Sequence, residues 1–400
     1  MLQAALAAVH GRVRVRDDLC RSPYRGEAHL VAIGKAAAAM SAGAYDALGE
    51  RIVRGLVVTK HGHRTPELPA LPTLTCIEAG HPLPDAASLA AGAALLEFIA
   101  AAPAGAAFVF LISGGASSLV EVPPAGVELS DLQRAHQWLL GSGLDIVQMN
   151  RVRKRLSCIK GGRLATHLAG RPARVLLISD VPGDALAVIG SGLLVPDSGP
   201  VGLPGLKLPR WLQDMMRRVP PAPGPDDAAL RAIEPRIVAC LDDAKRAACE
   251  RARALGHDAW LHAEFVAGDA LEAGVRLSAE LTAGPAGVHV WGGETTVRLP
   301  PRPGRGGRNQ SLALAAARVL AGRDDALLLA VNTDGSDGPG EDAGALVDGA
   351  TLGRGELDGL DAARCLAAAD AGTFLEASGD LIQTGATGTN VMDVTLGLKM

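Results

Sequence analysis

The sequence predicts a two-domain α/β protein built on parallel sheets with helices on both faces. Three observations predict it. Its 400 residues exceed the roughly 250–300 at which a single core stops growing. Short β-branched or apolar runs alternate with Ala/Leu-rich helical stretches, which is how buried parallel strands and their crossover helices read. Finally, Val219–Pro225, VPPAPGP, can neither continue a helix nor pair as a central strand. The division is therefore expected there, between residues 1–222 and 223–400.

Along the first half, strands are expected at His29–Ile33, Gly55–Thr59, Thr73–Glu78, Ala107–Ile112 and Arg174–Ser179, where apolar runs end in turn residues. Helices are expected between them, at Lys35–Leu48, Asp85–Ala102, Ser130–Leu140 and Gly162–Ala169. Beyond the proline-rich stretch the alternation resumes. Strands are expected at Arg236–Cys240, His257–His262, Val288–Trp291, Thr295–Leu299 and Ala326–Asn332, with helices from Asp242, Gly268 and Asn309. The Gly/Thr-rich tail is too apolar at Val391–Leu398 to be disordered, and another strand is expected there.

Composition narrows the function. The chain is 48% hydrophobic and 20% charged, with a formal net charge of −4, which excludes intrinsic disorder and disfavours broad nucleic-acid binding by a basic surface. Aromatics are only 3%, leaving few platforms on which bases could stack. Six scattered cysteines form no C-x-x-C or Cys/His cluster, so a reduced, cytoplasmic protein is expected. The opening MLQAALAAVHGRVRV has no basic segment ahead of an apolar core, and no apolar run reaches membrane-spanning length.

Three loops have the composition of anion sites. In Val31–Ala36 a buried strand turns on Gly34 into an alanine-rich helix, with Lys35 at the expected helix start. A cation there opposes the helix dipole by about 0.3–1 kcal/mol unless an anion joins it. A solvated lysine covering the sheet edge is the plainer reading. In Pro303–Gln310, Gly306 and Gly307 precede Arg308 and Asn309, again at a helix start; glycines admit a ligand to the backbone and an arginine fork suits phosphate or carboxylate. The plainer reading is a flexible hairpin tip. The third loop, Ser113, Gly114, Gly115 and Ser117 after a strand, suits an amide nest with hydroxyl donors, or simple helix capping.

Neither nucleotide fingerprint is present. Lys35 is followed by Ala36, unlike a Walker A loop, and only one glycine precedes it, unlike G-x-G-x-x-G. Two acidic loops after strands are candidate Mg²⁺ ligands, Asp180 with Asp184, and Asp334; turn and cap roles explain such aspartates equally well. The run Asn150–Arg163, with Lys154 and Lys160, is the most basic in the chain. It reads as a face for an anionic small substrate or as a salt-bridged helix. His61, His63 and His81 fall in loops after strands without the spacing of a zinc site.

Read together, these segments resemble the glycerate 2-kinase family, in which a Rossmann-like doubly wound domain precedes a C-terminal MOFRL domain. The likeness spans nearly the whole chain: VAIGKAAAAM (31–40), VVTKHGH (57–63), EAGHPLPD (78–85), LISGGASSL (111–119), MNRVRKRLSCIKGGRLA (149–165), LLISDVPGD (176–184), GSGLLVPD (190–197), GGETTVRL (292–299), GRGGRNQ (304–310), NTDGSDGP (332–339) and GDLIQTGATGTNVMD (379–393). The resemblance implies ATP-dependent, Mg²⁺-assisted phosphorylation of D-glycerate at its 2-hydroxyl, with Lys35 and Arg308 as the active-site pair; a monomer or homodimer is expected. Ser311 departs from the family, which commonly carries Glu there. Two other readings stand beside this one: an NAD(P)H-dependent hydroxypyruvate reductase, and a non-catalytic carboxylate-binding protein.

Overall fold

The structure is a computed structural model and describes residues 1–22, 24, 26–144, 146–197 and 205–400. It divides into two compact units, one of residues 11–238 and one of residues 1–10 with 239–400. The division expected after residue 222 falls earlier than this. The intervening residues build a strand, Ile233–Ala239, that joins the first sheet and not the second. The proline-rich stretch is thus a connection within the first unit. The helix Leu2–Ala8 falls with the second unit.

In the first unit, among the described residues, six strands form one sheet: β1 (Ala28–Ile33), β2 (Ile52–Lys60), β3 (Leu74–Ala79), β4 (Phe108–Ile112), β5 (Ala173–Ile178) and β6 (Ile233–Ala239), ordered β3-β2-β1-β4-β5-β6. Every pairing from β3 to β5 is parallel. This is the doubly wound order, and it reverses direction between β1 and β4. Each of the first five strands lies within two or three residues of its expectation because each is an apolar run closed by a turn. β1 and β4 are buried throughout, as strands covered on both faces must be.

The helix expected from Lys35 begins at Ala37. Its alanine-rich stretch is buried at every residue from Ala37 to Ala44, Gly43 included. A Cβ on Gly43 would collide with the Arg12 backbone of the helix Gly11–Arg21, so small side chains are what let these two helices meet.

The second unit holds β7 (Ala259–Val266), β8 (Gly287–Gly293), β9 (Ala326–Asn332), β10 (Gly344–Asp348), β11 (Leu381–Ile382) and β12 (Asp393–Lys399), ordered β11-β10-β9-β12-β8-β7. This sheet is mixed. β7 pairs parallel to β8, whereas β12 runs antiparallel between β8 and β9. The strand expected at the tail is therefore central. Thr295–Leu299 is not a strand: only an isolated bridge joins Thr296 to Asp269, since β7 and β12 already flank β8. Its core gathers Trp291, Leu312, Leu314, Leu328 and Phe374 beneath the helices Ala270–Ala283 and Arg308–Leu320.

Candidate functional site

At the carboxyl edge of the first sheet, the turns after β1 and β4 lie side by side across the point where strand order reverses. That is where open α/β sheets bind ligands. Gly34 sits at φ +135°, and a Cβ there would run into the Ser113 side chain and its carbonyl oxygen; no other residue fits. The turns are stitched together. Ser113 N–H donates to Ile33 O (3.0 Å), Lys35 N–H to Gly114 O (2.9 Å) and Ala36 N–H to Ser113 Oγ (3.0 Å). Thr59 Oγ donates to Gly34 O, bringing in the end of β2.

The amides of Lys35 and Ala36 are thus consumed by the neighbouring turn and do not form an open anion nest. Lys35 itself lies two residues ahead of the helix Ala37–Leu48 and is half-buried. The expectation that it stands at a helix start is corrected by this geometry. What it does occupy is the switch point. A Cβ on Gly115, at φ +83°, would lie 3.3 Å from Lys35 Cγ and 3.0 Å from His81 Cδ2, so one glycine makes room for both side chains. Ser117 shares a hydrogen bond with Ser191 at 2.7 Å.

The basic run is largely committed to the protein's own groups. Lys154 Nζ donates to Ala187 O (2.9 Å) and Asp197 (3.1 Å), and Asn150 accepts from Arg153. Lys160 pairs with Glu121, both about 2% exposed. His136 is buried nearby, and burial together with Lys160 and Arg153 pushes its imidazole down to about 4. Asp85 caps the helix Ala86–Ala100; burial opposes its ionisation, but hydrogen bonds from His61, Ser88 and Gly80 hold it at about 2.

In the second unit, Arg308 is the first residue of its helix, and Gly307 is the cap. Its guanidinium is held in a fork by Asp393, Nε to Oδ2 at 2.6 Å and Nη2 to Oδ1 at 3.0 Å, while Nη1 lies 2.9 Å from Glu294. The sheet register explains the meeting: Asp393 opens β12 directly opposite Gly293 and Asn332. The phosphate or carboxylate expected to meet this arginine fork is thus met first by two carboxylates of the chain itself. Although burial opposes it, Asp393 and Glu294 push Arg308 above the usual arginine range.

A further carboxylate, Asp337, lies in the same acidic loop as Asp334, and its part as a helix cap was not foreseen from the sequence. It accepts the N–H of Asn309 (3.0 Å) and of Gln310 (2.8 Å), and the Asn309 side chain at 3.2 Å. It caps the Arg308 helix from another loop. A Cβ on Gly307 would strike Asp337, and one on Gly338 would lie 2.5 Å from Gly306 O, so the two glycine loops interlock. Burial pushes Asp337 up to about 6, against the pull of the Asn309 and Gln310 amides. The signal available beforehand was an acid in a Gly-rich loop with no cap of its own to make.

Asp180 and Asp184 follow β5, and Asp334 follows β9 with Oδ1 accepting the Ser336 N–H. Among the described residues no group of three His, Cys, Asp or Glu side chains gathers to hold a metal.

Comparison with known proteins bears on the whole chain. A model described as a domain of unknown function, DUF4147, matches residues 1–202, and one described as the MOFRL family matches residues 287–393. The D-glycerate 2-kinase of Thermotoga maritima is 37% identical over 386 residues, covering 92% of this chain and 90% of that protein. A protein of Agrobacterium vitis, named provisionally as a hydroxypyruvate reductase, is 37% identical over 417 residues, covering 98% and 92%. A crystal structure of glycerate kinase from Thermotoga maritima matches with a TM-score of 0.86 at 33% identity, covering 100% of this chain and 97% of that one.

Proposed function

The chain belongs to the glycerate 2-kinase family, and from that premise we propose how its own residues carry the reaction. It is a kinase that uses ATP, transferring the γ-phosphoryl group to the 2-hydroxyl of D-glycerate and releasing 2-phosphoglycerate and ADP. The observation that carries the reading is the paired turn at the switch point, Gly34–Ala36 against Ser113–Gly115, with Lys35 beside it.

Phosphoryl transfer asks a protein chiefly for positioning and for neutralisation of charge on the moving group. Lys35 supplies an ammonium at the switch point. Ser113 Oγ accepts one N–H and keeps its own proton to donate, and Gly114, Gly115 and Ser117 wall the same turn. Arg308 contributes directed donors more than net charge: Asp393 fixes Nε and one Nη2 proton in a fork, Glu294 faces Nη1, and the remaining N–H groups are offered to an anionic oxygen. Gly306, Gly307 and Asn309 hold that helix start in place. Asn150, Lys154 and Lys160 are proposed to support the substrate side of the first unit.

Mg²⁺ fits as an ion carried by the nucleotide, whose phosphates and waters supply most ligands and which needs only one or two carboxylates. Asp180, Asp184 and Asp334 are the ones proposed; the metal would neutralise developing phosphate charge. We place the enzyme in the cytoplasm as a monomer or homodimer. Its six free cysteines agree with a reducing compartment.

One relative's name favours testing a hydroxypyruvate reductase, and the strand order is that of dinucleotide-binding folds. The β1 turn argues against it, because the amides a pyrophosphate would need are already bonded to Gly114 and Ser113. A coupled ADP-release assay with D-glycerate, and phosphorus NMR of the product, decides: 2-phosphoglycerate is expected. Formation of 3-phosphoglycerate, or NADH oxidation with hydroxypyruvate and no ADP release, would overturn the assignment.

A further inference from the structure

Three histidines follow strands of the first sheet. His61 is exposed, with Nε2 3.0 Å from Asp85 Oδ2, and His63 is buried. His81 is different. It follows β3, and its Cδ2–Nε2 edge lies against the Gly-rich turn after β4, 3.0 Å and 3.3 Å from where a Cβ of Gly115 would stand. The Lys35 stem approaches the same point at 3.3 Å. The imidazole of His81 and the stem of Lys35 therefore share one glycine beside the topological switch point. Any side chain at residue 115 would strain the backbone and crowd both.

We propose that His81 is the general base that takes the proton of the acceptor's 2-hydroxyl. This rests on the kinase reading above. The ring chemistry suits it, since neutral imidazole accepts a proton near neutral pH. As the hydroxyl oxygen bonds to the γ-phosphorus, the bond from that phosphorus to the bridging oxygen breaks and ADP leaves with its electron pair. The hydroxyl proton passes to an imidazole nitrogen of His81 and is returned to water after the product departs. Lys35, beside the ring, meets the phosphoryl oxygens in the same step.

The test compares wild type, His81→Ala, His81→Gln and His61→Gln at pH 8 with saturating ATP, Mg²⁺ and D-glycerate, each checked by thermal melting. For both His81 variants kcat should fall about 100- to 1000-fold, the usual worth of a positioned base, with KM for ATP little changed. Added imidazole should restore part of the rate of His81→Ala and none of His81→Gln. His61→Gln should keep the wild-type rate. A folded His81 variant whose kcat stays within about fivefold of wild type, or a loss in His81→Ala that imidazole leaves unrelieved, overturns the assignment. Should wild type itself make no 2-phosphoglycerate, the kinase reading falls and this inference with it, which is a distinguishable outcome.

Discussion

Arg308 and Asp393 are joined by two parallel hydrogen bonds, 2.6 and 3.0 Å long, across 85 residues of sequence. Asp393 is only 7% exposed and Arg308 26%, so removing the arginine strands a buried carboxylate. We predict that Arg308→Ala loses about 3 kcal/mol of stability as well as activity, since breaking a buried pair commonly costs about 3–5 kcal/mol. Arg308→Lys is the cleaner probe: it keeps the charge but not the fork. Urea melts should show most of the stability retained while kcat falls at least tenfold. Full activity in the lysine variant would mean the fork orients nothing that matters.

Lys35 should behave differently. It is half-buried and sits outside the helix that follows it, whereas Arg308 opens its helix and is forked by a buried carboxylate. Lys35→Met is expected to change stability by no more than about 0.5 kcal/mol and to lower kcat by about 100-fold or more, the scale on which a transition-state donor counts. Parallel denaturation and turnover measurements separate the two quantities, and a variant with near-normal kcat would remove Lys35 from the mechanism.

The contrast between these cations shows what the sequence could reveal. β1 to β5 were legible because each is a short apolar run closed by turn residues, a pattern set by local burial. Thr295–Leu299 carried a similar pattern and is no strand, because pairing depends on whether a neighbouring position is vacant, and β7 and β12 had filled both sides of β8. β10 and β11 were missed for the opposite reason: five and two residues long, they are defined by their partners. The site followed the same rule. The Gly34, Gly115 and Gly307 turns announced themselves locally, whereas the Asp393 partner of Arg308 and the Asp337 cap come from distant segments that only the fold assembles.

Asp337 gives activity and stability opposite responses to acid. Its carboxyl is raised from an ordinary value near 3.8 to about 6, so between those values the folded state holds a proton that the unfolded chain has lost. Stability from this group is therefore greatest below pH ~4 and declines as pH rises to about 6, by roughly 3 kcal/mol at 1.36 kcal/mol per unit. The ionised form, however, is the one that accepts both the Asn309 and Gln310 amides. We predict that kcat rises with pH through about 6 while wild type loses stability relative to Asp337→Asn over the same interval. Denaturant titrations at pH 4.5 and 7 on both proteins, at about the two ends of that interval, would show it; a constant difference between them would refute the shift.

Gly34 tests the switch-point turn directly. Alanine there must adopt φ +135° and occupy the space of the Ser113 hydroxyl and carbonyl, so Gly34→Ala should cost at least about 3 kcal/mol and abolish turnover. Within the fold, Ser113→Ala removes the acceptor for the buried Ala36 amide, a loss of about 1–3 kcal/mol. If both variants melt like wild type, the two turns are not interdependent.

The Glu121–Lys160 pair decides whether Lys160 serves substrate or fold. Both side chains are almost fully buried, and the desolvation that such a pair suffers makes either single neutralisation costly, about 3–5 kcal/mol, while replacing both with apolar groups is often close to neutral. Glu121→Gln and Lys160→Met should each destabilise strongly. The double variant Glu121→Leu/Lys160→Met should recover most of the stability, because no orphaned charge remains. Its turnover then separates the roles: a stable double variant with wild-type KM for D-glycerate makes Lys160 a structural cation, and one with KM raised tenfold or more shows that substrate competes with Glu121 for the ammonium.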